Sequence, residues 1–323
     1  MTFEIILTDS CNRNCEFCYI DHTGYVESDD NIDKFISEVK DIVGNMSGRF
    51  SINIFGGEPF LNYRGIKRIY DAFENDYRYR INTVSNGDFI ETWMASEIQR
   101  CHVSITTYDI FDEKSWGRYS TIYNAFKYCN CQYTVSGRDF NRIGELERIY
   151  RTLGFKYRII FSHDLKSWSN VSAEELYDTV HGLARREIGR YCDRLSNGNP
   201  RATEFLDQHF TRYCAGLFDS SMKDNFCTSN DKMSFYRGRF IGPCIRLCNV
   251  KMEFDGFPCR TCKYNKICSK SCFAEIKDNT VDSKLCTIEK AQFDAIDEFM
   301  KSGNGNVPRI LQFYHDNPLP VSL

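Results

Sequence analysis

Phe3-Glu4-Ile5-Ile6-Leu7-Thr8 runs straight into Asp9-Ser10-Cys11-Asn12-Arg13-Asn14-Cys15-Glu16-Phe17-Cys18. The first six residues are a short apolar run that reads as a β-strand. The three cysteines just past its end have the spacing C-x3-C-x2-C. A helical period follows, with Ile32, Phe35, Ile36, Val39, Ile42 and Val43 recurring three and four apart behind an Asp-rich start. The alternation then repeats. Strands are predicted over 51–55, 79–84, 102–106, 132–135 and 155–161, and helices over 66–73, 90–98, 122–128 and 146–153. Strands alternating with helices of this length imply βαβ units and a parallel sheet. Six units fall short of a closed eight-fold barrel, so the expected fold class is α/β, an open partial (β/α)6 TIM-like barrel.

After His163 the pattern changes. One long helix is predicted over 173–195, ended by Ser196-Asn197-Gly198-Asn199-Pro200, and a second helical stretch runs to about Tyr213. Residues 214–286 are Cys-rich and poor in periodicity. A helix is predicted over 287–301, and the tail after Ser302 is rich in Gly, Asn and Pro. The expected organisation is a barrel with its following helix at 1–200, a small Cys-rich domain at 201–290, and a C-terminal helix and tail at 291–323.

Composition excludes several classes. With 41 Lys+Arg against 44 Asp+Glu, the net charge of −3 gives no bulk attraction for nucleic acid or an anionic membrane. Mean hydropathy is −0.46, and no apolar run approaches the roughly 18 residues of a membrane span. Acidic Glu4 and Asp9 stand where a signal peptide would be basic and then apolar, so a soluble, cytoplasmic protein is expected. Of 16 cysteines, nine fall between Cys214 and Cys286 and three between Cys11 and Cys18. Clustered cysteines in a large chain of this kind point to metal rather than to disulfides.

Three thiolates on one loop leave two metals open. Zinc needs a fourth ligand, which His22 could supply. An iron–sulfur cube held by three thiolates keeps one iron free for an exogenous ligand. The loop follows the first strand, on the side where barrel enzymes carry their chemistry. At the end of the second strand stands Gly56-Gly57-Glu58-Pro59. Glycines there admit a close backbone approach, and Glu58 can accept hydrogen bonds from an ammonium group; a plain strand-end turn is the alternative. Near the C-terminus, Cys259, Cys262, Cys268 and Cys272 form C-x2-C-x5-C-x3-C, with Cys286 beyond. Such half-sites suit a zinc ribbon or a cluster. With Cys214, Cys227, Cys244 and Cys248 the thiols exceed one tetrahedral site, and the segment has too little apolar periodicity to fold without metal. Cys101, Cys129, Cys131 and Cys192 read as core thiols.

Together these residues resemble the radical SAM superfamily. Cys11, Cys15, Phe17 and Cys18 match its C-x3-C-x-Φ-C signature, residues 56–59 its GGEP, and Ser85-Asn86-Gly87 its TNG. The resemblance covers about 1–165. It implies the partial barrel, and a 4Fe–4S cluster whose open iron chelates S-adenosylmethionine (SAM). It also implies reductive cleavage of SAM to a 5′-deoxyadenosyl radical that abstracts hydrogen from substrate. By the same resemblance Cys11, Cys15 and Cys18 hold that cluster. Phe17, Gly56, Gly57, Glu58, Asn86 and Ser104 contact SAM, with the GGEP backbone and Glu58 on its amino group. Ser104 stands for the serine of an S-[LI]-D-G segment whose Asp and Gly are absent here. Arg118 or Lys114 is expected to be a solvated surface charge, the alternative being a pair with the SAM carboxylate.

The C-terminal array resembles the SPASM extension of that superfamily, which implies two auxiliary 4Fe–4S clusters and three in all. Cys214, Cys227, Cys244 and Cys272 would hold one, with Cys248 able to replace Cys214; Cys259, Cys262, Cys268 and Cys286 would hold the other. In the upstream half, Gly238 to Cys244 is one residue longer than usual. Sulfatase-maturing relatives carry an Asp after the cysteine corresponding to Cys244; Ile245 stands here, which disfavours formylglycine formation. No peptide-docking domain precedes the first strand, so either a separate docking protein or direct binding to the barrel is expected. The function implied is hydrogen abstraction from a residue of a peptide or protein substrate, giving a cross-link, epimerisation or oxidation. An electron donor such as flavodoxin or ferredoxin would serve it, with no nucleic-acid or membrane partner. The alternatives are a radical SAM oxidase acting on a small molecule and a non-catalytic zinc-ribbon or electron-transfer module.

Overall fold

A computed structural model describes residues 1–162, 164–196, 213, 214, 217, 232–242, 262–264, 268 and 283–316. The expectations on 197–212 and on Cys227, Cys244, Cys248, Cys259 and Cys272 lie outside the described residues.

The predicted alternation is present. In chain order come β1 (Thr2–Thr8), α1 (Asp29–Gly44), β2 (Phe50–Gly56), α2 (Tyr63–Phe73), β3 (Tyr79–Ser85), α3 (Met94–Glu97), β4 (His102–Thr106), α4 (Trp116–Ala125), β5 (Tyr128–Val135), α5 (Ile143–Thr152), β6 (Tyr157–Phe161) and α6 (Ala173–Ser196). Local chemistry fixes α1: the Ser28 hydroxyl accepts from the Asn31 amide, Asp29 and Asp30 occupy the first turn, and Ile32, Phe35, Val39 and Val43 form its buried stripe. The first six strands lie in sequential order, and the pairings from β1 through β5 are all parallel. This is a mostly parallel α/β sheet with helices, the partial-barrel architecture expected.

Two helices depart from prediction. Over 90–98 only Met94–Glu97 is helical. Met94, Ala95 and Ser96 donate to the carbonyls three residues back (Glu91, Thr92 and Trp93), so the segment is a string of tight turns. The fourth helix begins at Trp116 and ends at Ala125, because Phe126 is already extended and Tyr128 opens β5.

The largest difference lies at 232–242, inside the segment read as unable to build apolar core. β7 (Lys232–Tyr236) and β8 (Arg239–Gly242) form a hairpin, and β7 runs parallel beside β1, extending the sheet to eight strands. Fully buried Phe235 packs edge-on against Phe35 of α1 at 5.3 Å. The two-residue turn needs positive φ at both positions, 51° at Arg237 and 72° at Gly238. A Cβ on Gly238 would meet Asn31 Oδ1 at 2.7 Å. The turn therefore explains the glycine.

The chain divides into two compact units. The first comprises Met1–Val135, Asp139–Ile160 and Ser229–Asn249, and the second Ser136–Arg138, Phe161–Thr228 and Val250–Leu323. In the second, α6 packs along the helix Ser283–Lys301, burying Leu176, Val180 and Leu183 on one and Leu285, Ile288 and Ile296 on the other. The tail read as Gly/Asn/Pro-rich carries a further helix, Val307–Asp316, with Ile310 fully buried. Among the described residues no helix is long and apolar enough to cross a membrane.

Candidate active site

The cysteine loop leaves the C-terminal end of β1 and is closed at its base by Asp9. This carboxylate is 1% exposed and accepts from Thr23 Oγ1 at 2.6 Å, the Tyr25 amide at 2.7 Å and Tyr236 Oη at 2.9 Å. Burial alone would raise its pKa, but these hydrogen bonds hold it below the usual carboxylate value. Asp9 N donates to Tyr25 O at 3.0 Å, and Thr8 bridges Val26. Both ends of the loop are thus tied together.

Gly56 and Gly57 bring the end of β2 against the start of the same loop. Gly57 N donates to Thr8 O and Glu58 N to Ser10 O, both at 2.8 Å. A Cβ on Gly56 would sit 2.1 Å from Thr8 O, and one on Gly57 2.3 Å from Ser10 O. The close approach these glycines permit is therefore to the chain itself. Glu58 is fully buried, with Oε1 accepting from Phe60 N at 3.0 Å and Ser85 Oγ at 2.8 Å, and Oε2 from Asn86 N at 2.7 Å. Burial pushes its pKa up, opposed by those three donors. Its carboxylate ties β2 to the loop after β3 and presents no exposed oxygen.

The middle of the cysteine loop is clamped by Asp88. Arg13 forks onto it with Nε at 2.7 Å and Nη2 at 2.8 Å, Asn12 Nδ2 donates at 2.7 Å, and Arg118 Nη1 adds a fourth donor. Burial works against the Asp88 anion, but Arg13 and Asn12 hold its pKa down. Asn86 Nδ2 donates to Asn12 Oδ1 at 2.8 Å and approaches Cys11 Sγ at 3.9 Å. Arg118 also reaches Asp109 at 2.9 Å, and Tyr119 Oη donates to that acid. Arg118 is therefore an ion-network member and not the solvated charge expected, although its Nε is buried with no partner. Sequence reasoning missed Asn12, Arg13, Asp88 and Asp109. Asp88 directly follows Ser85-Asn86-Gly87, and a charge at that strand end was the available signal.

Cys11 and Cys15 are half-buried and Cys18 is exposed. Burial is the chief cause that raises the Cys11 thiol pKa. Cys18 N donates to Cys15 O at 3.0 Å, and Cys18 Sγ lies 3.6 Å from His22 Nε2. Phe17 is half-buried. Ser104 sits mid-strand in β4 and donates to Asn130 Oδ1 at 2.9 Å. In the second unit Cys214 is buried, with its thiol pushed up to about 12 by desolvation; Cys262 and Cys286 are exposed and Cys268 is half-buried. Among the described residues no three His, Cys, Asp or Glu side chains are gathered as a bound metal would gather them. Cys101, just before β4, and Cys131, in β5, are buried as expected of core thiols, and desolvation raises both, Cys101 to about 12, whereas Cys129 and Cys192 are only half-buried.

The fold and the loop define an open-barrel α/β protein that carries its cysteine loop at the C-terminal ends of the strands. Residues 5–130 match the Radical SAM superfamily. It is 24% identical over 119 residues to the radical SAM cyclopropyl synthase TigE of Paramaledivibacter caminithermalis, and 28% identical over 104 residues to an uncharacterized protein of Methanocaldococcus jannaschii. The first match covers 32% of this chain and 25% of TigE, and the second 31% and 35%, so the chain spans about a quarter to a third of these curated relatives. Among solved structures, native anSMEcpe with bound AdoMet and the Kp18Cys peptide superposes with a TM-score of 0.63 at 15% identity, covering 98% of this chain and 99% of that one. Streptococcus suis SuiB bound to its precursor peptide SuiA gives 0.55 at 15% identity, covering 88% and 75%.

The match over residues 5–130 is to a superfamily that uses a 4Fe–4S cluster and SAM. The residues fit this group: three thiols of the right donor chemistry share one loop, and the Gly56-Gly57 contact and the Asp9 and Asp88 bonds fasten that loop independently of metal.

Proposed function

We propose that this enzyme modifies a residue of a peptide or protein substrate by hydrogen abstraction. The observation that carries the reading is the three-thiol loop after β1, closed by Asp9 and clamped by Asp88. Support for the substrate class comes from the shared fold of anSMEcpe and SuiB, both seen with peptides. When bound, the 4Fe–4S cluster supplies one electron that splits SAM into methionine and a 5′-deoxyadenosyl radical. Cys11, Cys15 and Cys18 would hold the cluster, with Phe17 and Asn86 beside it. The backbone at Gly56 and Gly57, besides fastening the cysteine loop, would contact the SAM amino group. Glu58, with no exposed oxygen, positions Ser85 and Asn86 and thereby the wall of the site. Ser104 belongs to the polar face below it.

The proposal includes two auxiliary clusters, on Cys214, Cys227, Cys244 and Cys272 and on Cys259, Cys262, Cys268 and Cys286, and a flavodoxin- or ferredoxin-type electron donor. Anaerobic reconstitution followed by incubation with SAM, reductant and a panel of short Cys-, Lys- or Gly-rich peptides tests it. The expected result is a brown protein with about twelve irons and a peptide that loses two hydrogens or, on epimerisation, takes up solvent deuterium. A colourless zinc protein, or a peptide left unchanged, would refute it.

A further inference from the structure

One face of the sheet in the first unit is polar. Parallel sheets are ordinarily apolar on both faces, yet alternate positions of β2 to β5 place Asn53, Asn82, Ser104, Thr106, Asn130 and Gln132 on this one. These groups satisfy one another across strands. Asn82 Nδ2 donates to Asn53 Oδ1 at 2.8 Å, Ser104 Oγ to Asn130 Oδ1 at 2.9 Å, and Gln132 Nε2 to Thr106 Oγ1 at 3.0 Å.

Arg80, His102 and Tyr128 continue the face at the N-terminal ends of β3, β4 and β5, where His102 pairs in register with Tyr128. The imidazole stacks on the phenol ring with centroids 4.5 Å apart and 12° between planes. Arg80 Nη2 lies 3.1 Å from His102 Nδ1. A guanidinium can only donate, so Nδ1 accepts and the ring proton sits on Nε2. Desolvation and the neighbouring Arg80 hold the His102 pKa down to about 4, so the ring is neutral at pH 7. It aims the guanidinium without opposing its charge. Lys127 lies over Tyr128 at 5.3 Å and adds a second cation. Arg13 and Arg118 are each matched by aspartates. Arg80 is not: it is an exposed residue whose guanidinium is partly desolvated, and no acidic side chain among the described residues acts on it. One of its five N–H groups is used by His102, which leaves a planar fork suited to a carboxylate.

We propose that Arg80, aimed by His102, binds a carboxylate of the substrate. The proposal rests on the peptide reading above and sharpens it. Arg80 precedes Ser85 by five positions on β3, roughly 16 Å at about 3.3 Å per residue. An extended peptide reacting beside the cysteine loop would therefore carry its acid about five residues from the reacting one, with the hydrogen-bonding wall between.

The test uses the full-length, anaerobic, oxidised holoenzyme labelled with 15N-histidine, the His102 signal being assigned by its loss in His102→Gln. Three probes separate the sources of the carboxylate: N-acetylglutamate α-amide (side-chain acid), N-acetylglutamine (main-chain acid) and N-acetylglutaminamide (neither). One or both acids should shift the His102 signal, the tighter one naming the source, while the neutral probe leaves it unmoved. Arg80→Gln should weaken the binding about tenfold or more, and Arg80→Lys should retain part of it. Equal shifts from the neutral probe, no shift from either acid, or an unchanged response in Arg80→Gln would overturn the proposal. Because the probes are small molecules, a carboxylate site survives if the peptide reading fails. Conversely, loss of this site leaves the peptide mass change above untouched.

Discussion

The two cysteine-rich regions of this chain are held by different means. Around Cys11, Cys15 and Cys18 the protein fastens the loop itself, through Asp9 at the base, Gly56-Gly57 along the side and Asp88 in the middle. In the C-terminal array the anchors grip the neighbours of the described cysteines. Tyr213 Oη, beside Cys214, donates to Asp297 at 2.6 Å, and Tyr264 Oη, near Cys262, donates to Asp294 at 2.7 Å. Lys263 bridges both acids at 2.9 and 3.2 Å, while Cys262 and Cys286 stay exposed. The first site is organised by backbone contacts and ion pairs; the second is expected to take its order from metal.

Iron loss sharpens this contrast most. Cys272→Ala and Cys262→Ala should each remove about four of about twelve irons, and Mössbauer spectra should show that they lose different clusters. SAM cleavage should survive in both, because the first cluster has its own ligands. If both variants lose the same cluster, the array holds one site and the interleaved ligand set is wrong.

A smaller effect is expected at the clamp. Asp88→Asn removes the anion from a forked pair with Arg13, a contact of about 1.5–3 kcal/mol. Initial rates of 5′-deoxyadenosine formation should fall about 10- to 100-fold, with the iron of the auxiliary clusters unchanged. An unaltered rate would show that the loop needs no clamp.

The smallest effect concerns the anchor of the second region. Burial opposes the Asp294 anion, but Lys263, Tyr264, Tyr177 and Lys290 outweigh it and hold the pKa at about 2, below the usual carboxylate value. A depressed carboxylate pKa stabilises the fold above the unfolded value, and that stability is lost as pH falls through the folded value. Asp294→Asn should therefore lower unfolding stability by about 2 kcal/mol at pH 7. The difference should shrink from about pH 4 and vanish near pH 2, as followed by urea titration. A pH-independent difference would mean that packing, and not charge, anchors this helix.

Much of the fold was legible because its signals are local. Strand runs such as Phe3-Glu4-Ile5-Ile6-Leu7 and the period of α1 need no tertiary information. The β7–β8 hairpin was hidden by its setting among cysteines, although Met233-Ser234-Phe235-Tyr236 followed by Arg237-Gly238 carries a strand-and-turn signal. Its place beside β1 is a long-range fact that no periodicity encodes. The cysteine spacing marked the candidate site, but its clamp joins residues 75 positions apart, Arg13 to Asp88. An acid after two glycines looks available to a ligand, but only the structure shows both Glu58 oxygens taken by the chain.

The pre-fastened loop is the proposed SAM-cluster site. It is tested most directly by 5′-deoxyadenosine formation. Anaerobically reconstituted wild type and the triple variant Cys11→Ala, Cys15→Ala, Cys18→Ala should be given SAM and dithionite, and the nucleoside quantified by chromatography. The wild type should form 5′-deoxyadenosine and the triple variant none, while the variant keeps its remaining iron. Equal formation by both proteins would contradict the claim.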